Sequence, residues 1–286
     1  MTNLLQFIET VTDYVDQGYP VDVLFLDFQK AFDKVPYGRL LLKVKAMGIG
    51  SLAANWIESW LSDRKQRVVI NGKCSGWSEV SSGVPKGSVL WPILFVIFIN
   101  DIEDGICGNI LKFADDTKLF CKFGCDINGV QLRADIRKCY NWSEEWQMLF
   151  NLDKCKIRHF GYNNPNNTFL LGGHILETVD EEKDLGVMIQ KDLKASSQCV
   201  KIVKTANQIL GLIKTTFIFK TKDNLLQLYK CLVRPHLECC IQVWNPYLKK
   251  DIDLLEGVQH RATKMILGYK HYCYEDRLAL CQIRRD

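Results

Sequence analysis

Residues 110–120 read ILKFADDTKLF. Two short apolar runs, Ile110 to Ala114 and Thr117 to Phe120, are separated only by Asp115-Asp116, a spacing that predicts a tight antiparallel hairpin. The loop is chemically unusual. Tight hairpin turns favour Asn-Gly or Asp-Gly, because their central residues need φ > 0. Two ionised carboxylates about 4 Å apart repel by about 4 kcal/mol at an effective dielectric near 20. A compensating cation is therefore expected at this turn, although an Asp-Asp pair taken alone is also an ordinary exposed polar turn.

Working outward, Val21 to Phe28 (VDVLFLDF) reads as a short β-rich segment ending on a carboxylate, Asp27. Before it, Leu4, Phe7, Ile8, Val11 and Val15 recur at helical spacing until Gly18 and Pro20 stop the run. After it, Arg39 to Met47 and Leu52 to Leu61 are helical by pattern. Asn71-Gly72, between Gln66–Ile70 and Lys73–Val80, is a strong hairpin signal. Ser88 is placed to cap an eleven-residue apolar run, Val89 to Ile99, predicted as a buried helix with Pro92 in its first turn. Downstream, Gly129 to Leu149 is predicted helical, Cys155 to Gly161 and Phe169 to Leu171 are predicted strands, and Ala195 to Lys270 is predicted mostly helical. This order predicts an α+β unit of largely antiparallel strands over residues 1–189 and an α-helical unit over 190–286.

Charge divides along the same line. The 286 residues carry 37 Lys+Arg and 33 Asp+Glu, net +4, but residues 1–150 are net −2 whereas 190–286 are net +8. That asymmetry points to a polyanion-gripping surface beside a site rich in carboxylates, or to an ordinary solvated helical surface. The apolar run at 89–99 is far short of the roughly 20 residues of a membrane span. Met1 is followed by an amphipathic pattern rather than a secretory signal, so neither a membrane partner nor secretion is expected. The 12 cysteines are scattered and read as reduced thiols. The five histidines and the cysteine spacings match no zinc site, and no phosphate-binding loop or dinucleotide fingerprint occurs. Trp56, Trp60, Trp142, Trp146 and Trp244 sit at helical or apolar spacing and read as core residues.

Asp27, Asp115 and Asp116 together form a candidate divalent-metal site. Mg²⁺ takes oxygen ligands from one or two carboxylates plus substrate phosphates. Three carboxylates at neighbouring strand ends could hold two ions, an arrangement suited to in-line displacement at phosphorus.

Three motifs then occur in order: Leu26-Asp27-Phe28-Gln29-Lys30-Ala31-Phe32-Asp33, Ser82-Gly83-Val84-Pro85-Lys86-Gly87-Ser88 and Phe113-Ala114-Asp115-Asp116. With Asn151-Leu152-Asp153-Lys154, Asp184-Leu185-Gly186 and the stretch from Leu226 to Ile266, the chain resembles the reverse transcriptases of non-LTR, jockey-like LINE retrotransposons over nearly its whole length. The resemblance implies a right-hand polymerase: an antiparallel palm with partial fingers, then a mostly helical thumb. It also implies an RNA template, a DNA primer and dNTPs as partners, and two Mg²⁺ ions, with Mn²⁺ as a substitute, held by Asp27, Phe28, Asp115 and Asp116. In the same way Lys154 matches the lysine that neutralises departing pyrophosphate, and Phe32 an aromatic gate against the ribose 2′-hydroxyl. Phe32, Gly83, Pro85, Lys86 and Gly87 are assigned to nucleotide and template, and Leu185 and Gly186 to the primer grip.

This chain departs from the family pattern at Lys86, where glutamine is usual, and at Trp91, where glycine is usual. It also starts just before the first palm strand, so the resemblance implies a copy truncated in the fingers and lacking the endonuclease. The expected activity is RNA-directed DNA synthesis. The alternative is an inactive remnant that still binds nucleic acid non-specifically. An RNA-templated RNA polymerase would share the carboxylates but should have a polar residue near Phe32.

Overall fold

The computed structural model describes residues 1–85, 87–124 and 129–283. The chain forms two compact units, one of residues 13–179 and one of residues 1–12 with 180–286. Helix α1 (Thr2–Asp16) crosses that division. The sheet unit continues with β1 (Val21–Leu26), α2 (Tyr37–Ala46), α3 (Ser51–Leu61), β2 (Lys65–Gln66), β3 (Val69–Ile70), β4 (Lys73–Cys74), β5 (Ser78–Glu79) and α4 (Leu90–Ile99). It ends with β6 (Asn109–Phe113), β7 (Asp116–Lys122), α5 (Val130–Glu145), β8 (Lys156–Phe160), β9 (Leu170–Leu171), β10 (His174–Ile175) and β11 (Glu177–Thr178). The second unit holds β12 (Glu181–Asp184), β13 (Val187–Gln190), α6 (Ser196–Thr216), α7 (Lys222–Leu228), α8 (Arg234–Glu238), α9 (Ile241–Trp244), α10 (Lys249–Lys264) and α11 (Tyr274–Cys281).

The main sheet has the order β11-β8-β1-β7-β6, with β1 antiparallel to both β7 and β8 and only β11 parallel to its neighbour. A strand in the middle of a sheet with covered faces should be apolar along its length rather than alternating, and β1 is buried at five of its six residues. Asp22 is its one charged member. Fully buried, it is held by His159 Nδ1 on β8 at 2.6 Å and by Asn164 Nδ2 at 2.7 Å. The core joins Leu24 and Leu26 of β1 to Phe95 and Phe98 of α4, Ile136 and Trp142 of α5, and Ile157 of β8.

Lys43 of α2 is buried inside this core. Its ammonium donates to the Phe98 carbonyl and to Asp101 Oδ1, each at 2.5 Å, and lies 3.7 Å from the Trp146 ring centre and 4.7 Å from that of Trp142. Burial pulls its pKa below the ordinary lysine value, against the opposing pull of Asp101. A buried cation is tolerated only with such partners.

The Asn71-Gly72 hairpin forms as expected, with both residues at positive φ (49° and 79°) and Ile70 paired with Lys73. The strand expected over 73–80 is split, however, since β4 pairs with β3 while β5 pairs with β2. The hairpin of the opening quotation also forms, shifted by one residue. Its two-residue turn is Ala114-Asp115, and Asp116 pairs with Phe113 as the first residue of β7. The helix over 90–99 is amphipathic in placement rather than buried throughout, because Ile93 and Val96 are half exposed. Ser88 Oγ accepts the Trp91 N–H at 3.2 Å, as expected of a cap. Trp56 is exposed rather than in the core, lying parallel to Trp60 at 6.0 Å between ring centres. Trp142 and Trp244 are buried. All cysteines among the described residues are free, and no described helix is long and apolar enough to cross a membrane.

Lys43→Ala removes one partner of a largely buried pair and leaves Asp101, Phe98 O and the ring faces without their cation. A loss of about 2 kcal/mol in unfolding free energy is expected, discounted for the partial exposure of Asp101. Urea denaturation checks this, and an unchanged midpoint would remove Lys43 from the packing argument.

Candidate active site

Asp27 follows the last residue of β1, whose final pair, Leu26 with Thr117, leaves Asp27 abreast of the β6–β7 turn. On the other side of β1, the segment 149–155 folds against the same point. Gln29 N–H donates to Leu149 O at 2.9 Å, Asn151 N–H donates to Asp27 O at 2.8 Å, and Phe28 and Phe150 form an antiparallel bridge. Asn151 O then accepts from both the Lys154 and Cys155 N–H groups at 3.0 Å, a tight turn that carries Lys154 back towards Asp27. Beneath it, the Asp27 N–H lies 3.5 Å from Cys155 Sγ, and the thiol in turn donates to the Asp27 carbonyl at 3.7 Å. Burial pushes the Cys155 thiol up to about 11, so it is protonated and acts as a support rather than a nucleophile.

These elements enclose an open cavity of about 710 Å³ lined by Asp27, Asp115, Lys154, Asn151 and the backbone turn from Phe28 to Lys34. Lys154 Nζ is 3.3 Å from Asp27 Oδ2, an oxygen that is buried and accepts no hydrogen bond. Such an oxygen is costly unless a cation faces it. Ala114 holds φ at +54°, a strained value for a residue with a side chain, costing about 1 kcal/mol. The cavity lining carries Lys30, Lys34 and Lys154 against Asp27, Asp33 and Asp115.

The structure thus brings together Asp27, Asp115, Lys154, Phe28 and Phe32. Asp116 is exposed and outside the cavity lining, and among the described residues no three His, Cys, Asp or Glu side chains cluster closely enough to hold a metal. The Phe28 ring stacks on Phe150 at 4.6 Å in the core, so only its backbone is free to face an ion. The Phe32 ring packs on Trp91 at 4.2 Å and on Phe95 at 4.4 Å, with Trp91 filling the space behind it.

Gly83 meets the chain's own backbone. A Cβ there would lie 2.6 Å from Phe32 O and 2.7 Å from Asp33 Cα, and φ is +79°. Its N–H donates to Val35 O, Val84 N–H to Phe32 O, and Ser82 Oγ to Asp33 O, while the Arg64 guanidinium holds Ser82 O and Gly83 O. Pro85 follows directly, Gly87 has open space at its Cα with φ +84°, and Lys86 lies outside the described residues. In the other unit, Leu185 and Gly186 form the two-residue turn of the β12–β13 hairpin, both at positive φ (44° and 95°). Sequence reasoning missed Cys155, whose side chain carries no pattern signal, and gave no task to Gln29, which stands in the first quoted motif and whose Nε2 donates to Phe150 O at 3.1 Å. Asn151 stood within a quoted motif, yet only its main-chain bonds to Asp27 and 154–155 reveal its task.

Residues 6–211 match the family described as reverse transcriptase (RNA-dependent DNA polymerase). The chain belongs to this family. Similar curated proteins include the RNA-directed DNA polymerase from mobile element jockey of Drosophila funebris, 27% identical over 263 residues, covering 87% of this chain and 28% of that protein. Another is the probable RNA-directed DNA polymerase from transposon X-element of Drosophila melanogaster, 24% identical over 281 residues, covering 93% of this chain and 30% of that protein. The chain spans less than a third of the length of these relatives. Among solved structures, telomerase from Candida albicans in complex with a TWJ fragment of telomeric RNA superposes with a TM-score of 0.51 at 14% identity, covering 97% of this chain and 43% of that one. Apo telomerase from Candida tropicalis gives 0.51 at 12% identity, covering 94% and 45%. These likenesses show the fold, that of a right-hand polymerase.

Within this reverse transcriptase domain, Gly83→Ala is expected to destabilise by about 2 kcal/mol or more, because main chain rather than a flexible side chain would have to move. Thermal unfolding measures it, and an unchanged Tm would mean the loop relaxes freely. Lys154→Ala removes the ammonium facing Asp27. Since the pair is partly exposed, worth up to about 1 kcal/mol, Mn²⁺ binding followed by electron paramagnetic resonance should tighten about two- to five-fold. Unchanged or weaker binding would show that Lys154 does not compete for that carboxylate.

Proposed function

We propose that this chain carries the nucleotidyl-transfer centre of a non-LTR retrotransposon RNA-directed DNA polymerase, which extends a DNA primer on an RNA template with dNTPs. The sheet unit acts as palm with partial fingers and the helical unit as thumb. The observation carrying this reading is the meeting of Asp27 and Asp115, 88 positions apart in sequence, on one cavity with Lys154. In the reaction the primer 3′-oxygen forms a bond to the α-phosphorus of the dNTP, the bond to the bridging oxygen breaks, and pyrophosphate leaves.

The residues present suit a divalent cation. Reverse transcriptases depend on such ions generally, and the buried Asp27 Oδ2, which accepts no hydrogen bond and is paired with the Lys154 ammonium, has the hard oxygen chemistry that Mg²⁺ takes. We assign the two ions to Asp27, Asp115, the Phe28 backbone and, after a rotation of its side chain, Asp116. When bound, they make the primer hydroxyl more acidic and screen the charge that develops on the phosphates. Asp27 and Asp115 hold the reacting groups in register, and Cys155 and Asn151 fix the Asp27 backbone. Lys154 faces the leaving group and neutralises or protonates it. Phe32, backed by Trp91 and Phe95, presents a ring that has no room to yield to a 2′-hydroxyl. Gly83, Pro85, Lys86 and Gly87 support template and nucleotide, and the Leu185-Gly186 turn supports the primer end.

Primer extension on an RNA template with Mg²⁺ tests the reading. Incorporation should fall by on the order of 10²-fold or more in Asp115→Asn. Binding of nucleic acid without incorporation in the unaltered chain would favour the inactive remnant, a reading suggested by the outward placement of Asp116. Phe32→Ala should lower discrimination against ribonucleotides about tenfold or more, and unchanged discrimination in an active chain would discard the gate.

A further inference from the structure

The helical unit contains a second cavity, larger than the carboxylate one and opposite to it in charge. It opens where the C-terminal ends of α6 and α10 lie beside the strap 217–220 and the turn 265–271, encloses about 980 Å³, and has no acidic residue in its lining. Lys214, Lys220, Arg261, Lys264 and Lys270 surround it. The strap is fixed in place, because Leu267 N–H donates to Lys220 O at 2.9 Å. Helix C-termini attract cations, which accounts for Lys214, Arg261 and Lys264 in the last turns of their helices. That explanation does not extend to Lys220 and Lys270, which lie outside both helices. Nor are these cations neutralised by neighbours: among the described residues none of the five is ion-paired to a carboxylate.

The floor is apolar. Leu210, Met265 and Ile266 line it, while Ile218 and Leu267 stand at its mouth, 85% and 76% exposed. Exposed aliphatic side chains inside a ring of cations that face no carboxylate call for a ligand that is polyanionic and also offers flat apolar surface. A nucleic-acid duplex supplies the charge but keeps its base faces stacked inside. An unpaired strand supplies both, with phosphates spaced to meet successive lysines and a base free to lie on the floor.

We propose that this cavity binds single-stranded nucleic acid, with phosphates on Lys214, Arg261, Lys264 and Lys270 and an unstacked base over Leu210, Ile218 and Leu267. The inference rests on the polymerase reading and deepens it by naming an unpaired strand as the ligand of this cavity. It stands on the cavity's chemistry, and its test uses no catalysis.

The experiment is fluorescence anisotropy of the full chain with a labelled 15-nucleotide oligouridylate and with a blunt RNA duplex of equal length, without Mg²⁺ or dNTPs, over a range of salt. Single-strand affinity should exceed duplex affinity. In Arg261→Ala/Lys264→Ala the slope of log K against log salt should flatten by about 1.4, roughly 0.7 for each lost phosphate contact. Leu267→Ser should weaken binding about five-fold or more with the slope unchanged, since it removes apolar contact and no charge. Circular dichroism of the variants separates this from unfolding. Equal affinity for duplex and single strand, indifference to all three substitutions in folded protein, or displacement by an acidic Leu/Glu helical peptide but not by unlabelled oligouridylate would overturn it. Oligouridylate binding that depends on the cavity, in a chain showing no primer extension, would sink the polymerase reading alone. Incorporation with no cavity dependence would sink only this one.

Discussion

The double pairing of β1 is the constraint on which the site depends. Hydrogen-bonded to β7 on one side and β8 on the other, β1 cannot slip without breaking two ladders. A one-residue slip would also turn every side chain to the opposite face. Asp27 therefore ends up beside the β6–β7 turn and beside the 151–155 turn at once. The apolar burial of Val21, Val23 and Leu24 drives this assembly, and the charged groups follow where the main chain delivers them. Asp22 with His159 adds a polar pin between β1 and β8 at the strand end away from the site.

Much of this was legible because the determining signals are local. The strand from Val21, the Asn71-Gly72 turn and the two apolar runs around Asp115 are patterns of a few residues, and each formed near its expected place. The errors share a cause in tertiary context. The pair Asp115-Asp116 reads as a loop by composition, yet the ladder closes one residue earlier, because Phe113 pairs with Asp116 and Ala114 takes the left-handed position. The run from Val89 is uniformly apolar, so nothing in its periodicity marks Ile93 and Val96 as the side without a neighbour. Trp56 and Trp60 share a helical face by spacing, and spacing does not reveal whether that face is covered. Cys155 and Gln29 reach main chain more than a hundred residues away, which no window of sequence contains.

The two cavities divide the electrostatics of the chain between them. In the sheet unit, three acidic and three basic side chains share the lining, so its formal charge is near balance. In the helical unit the lining sets five cations around an apolar floor with no carboxylate, and these five are part of the basic excess read from the sequence after residue 189. A net charge counted along the chain could indicate the sign of this field but not its focus.

The backbone contact at Gly83 carries a mechanical implication. Three main-chain and side-chain bonds fasten residues 82–84 onto residues 32–35, with no Cβ between them, and the Arg64 guanidinium clamps the outer side. The main chain beneath Phe32 and the start of the Ser82–Ser88 loop are therefore joined without a spacer. Under the proposed gate, a displacement of residues 82–84 would carry the Phe32 main chain with it, which links the loop mechanically to the ring.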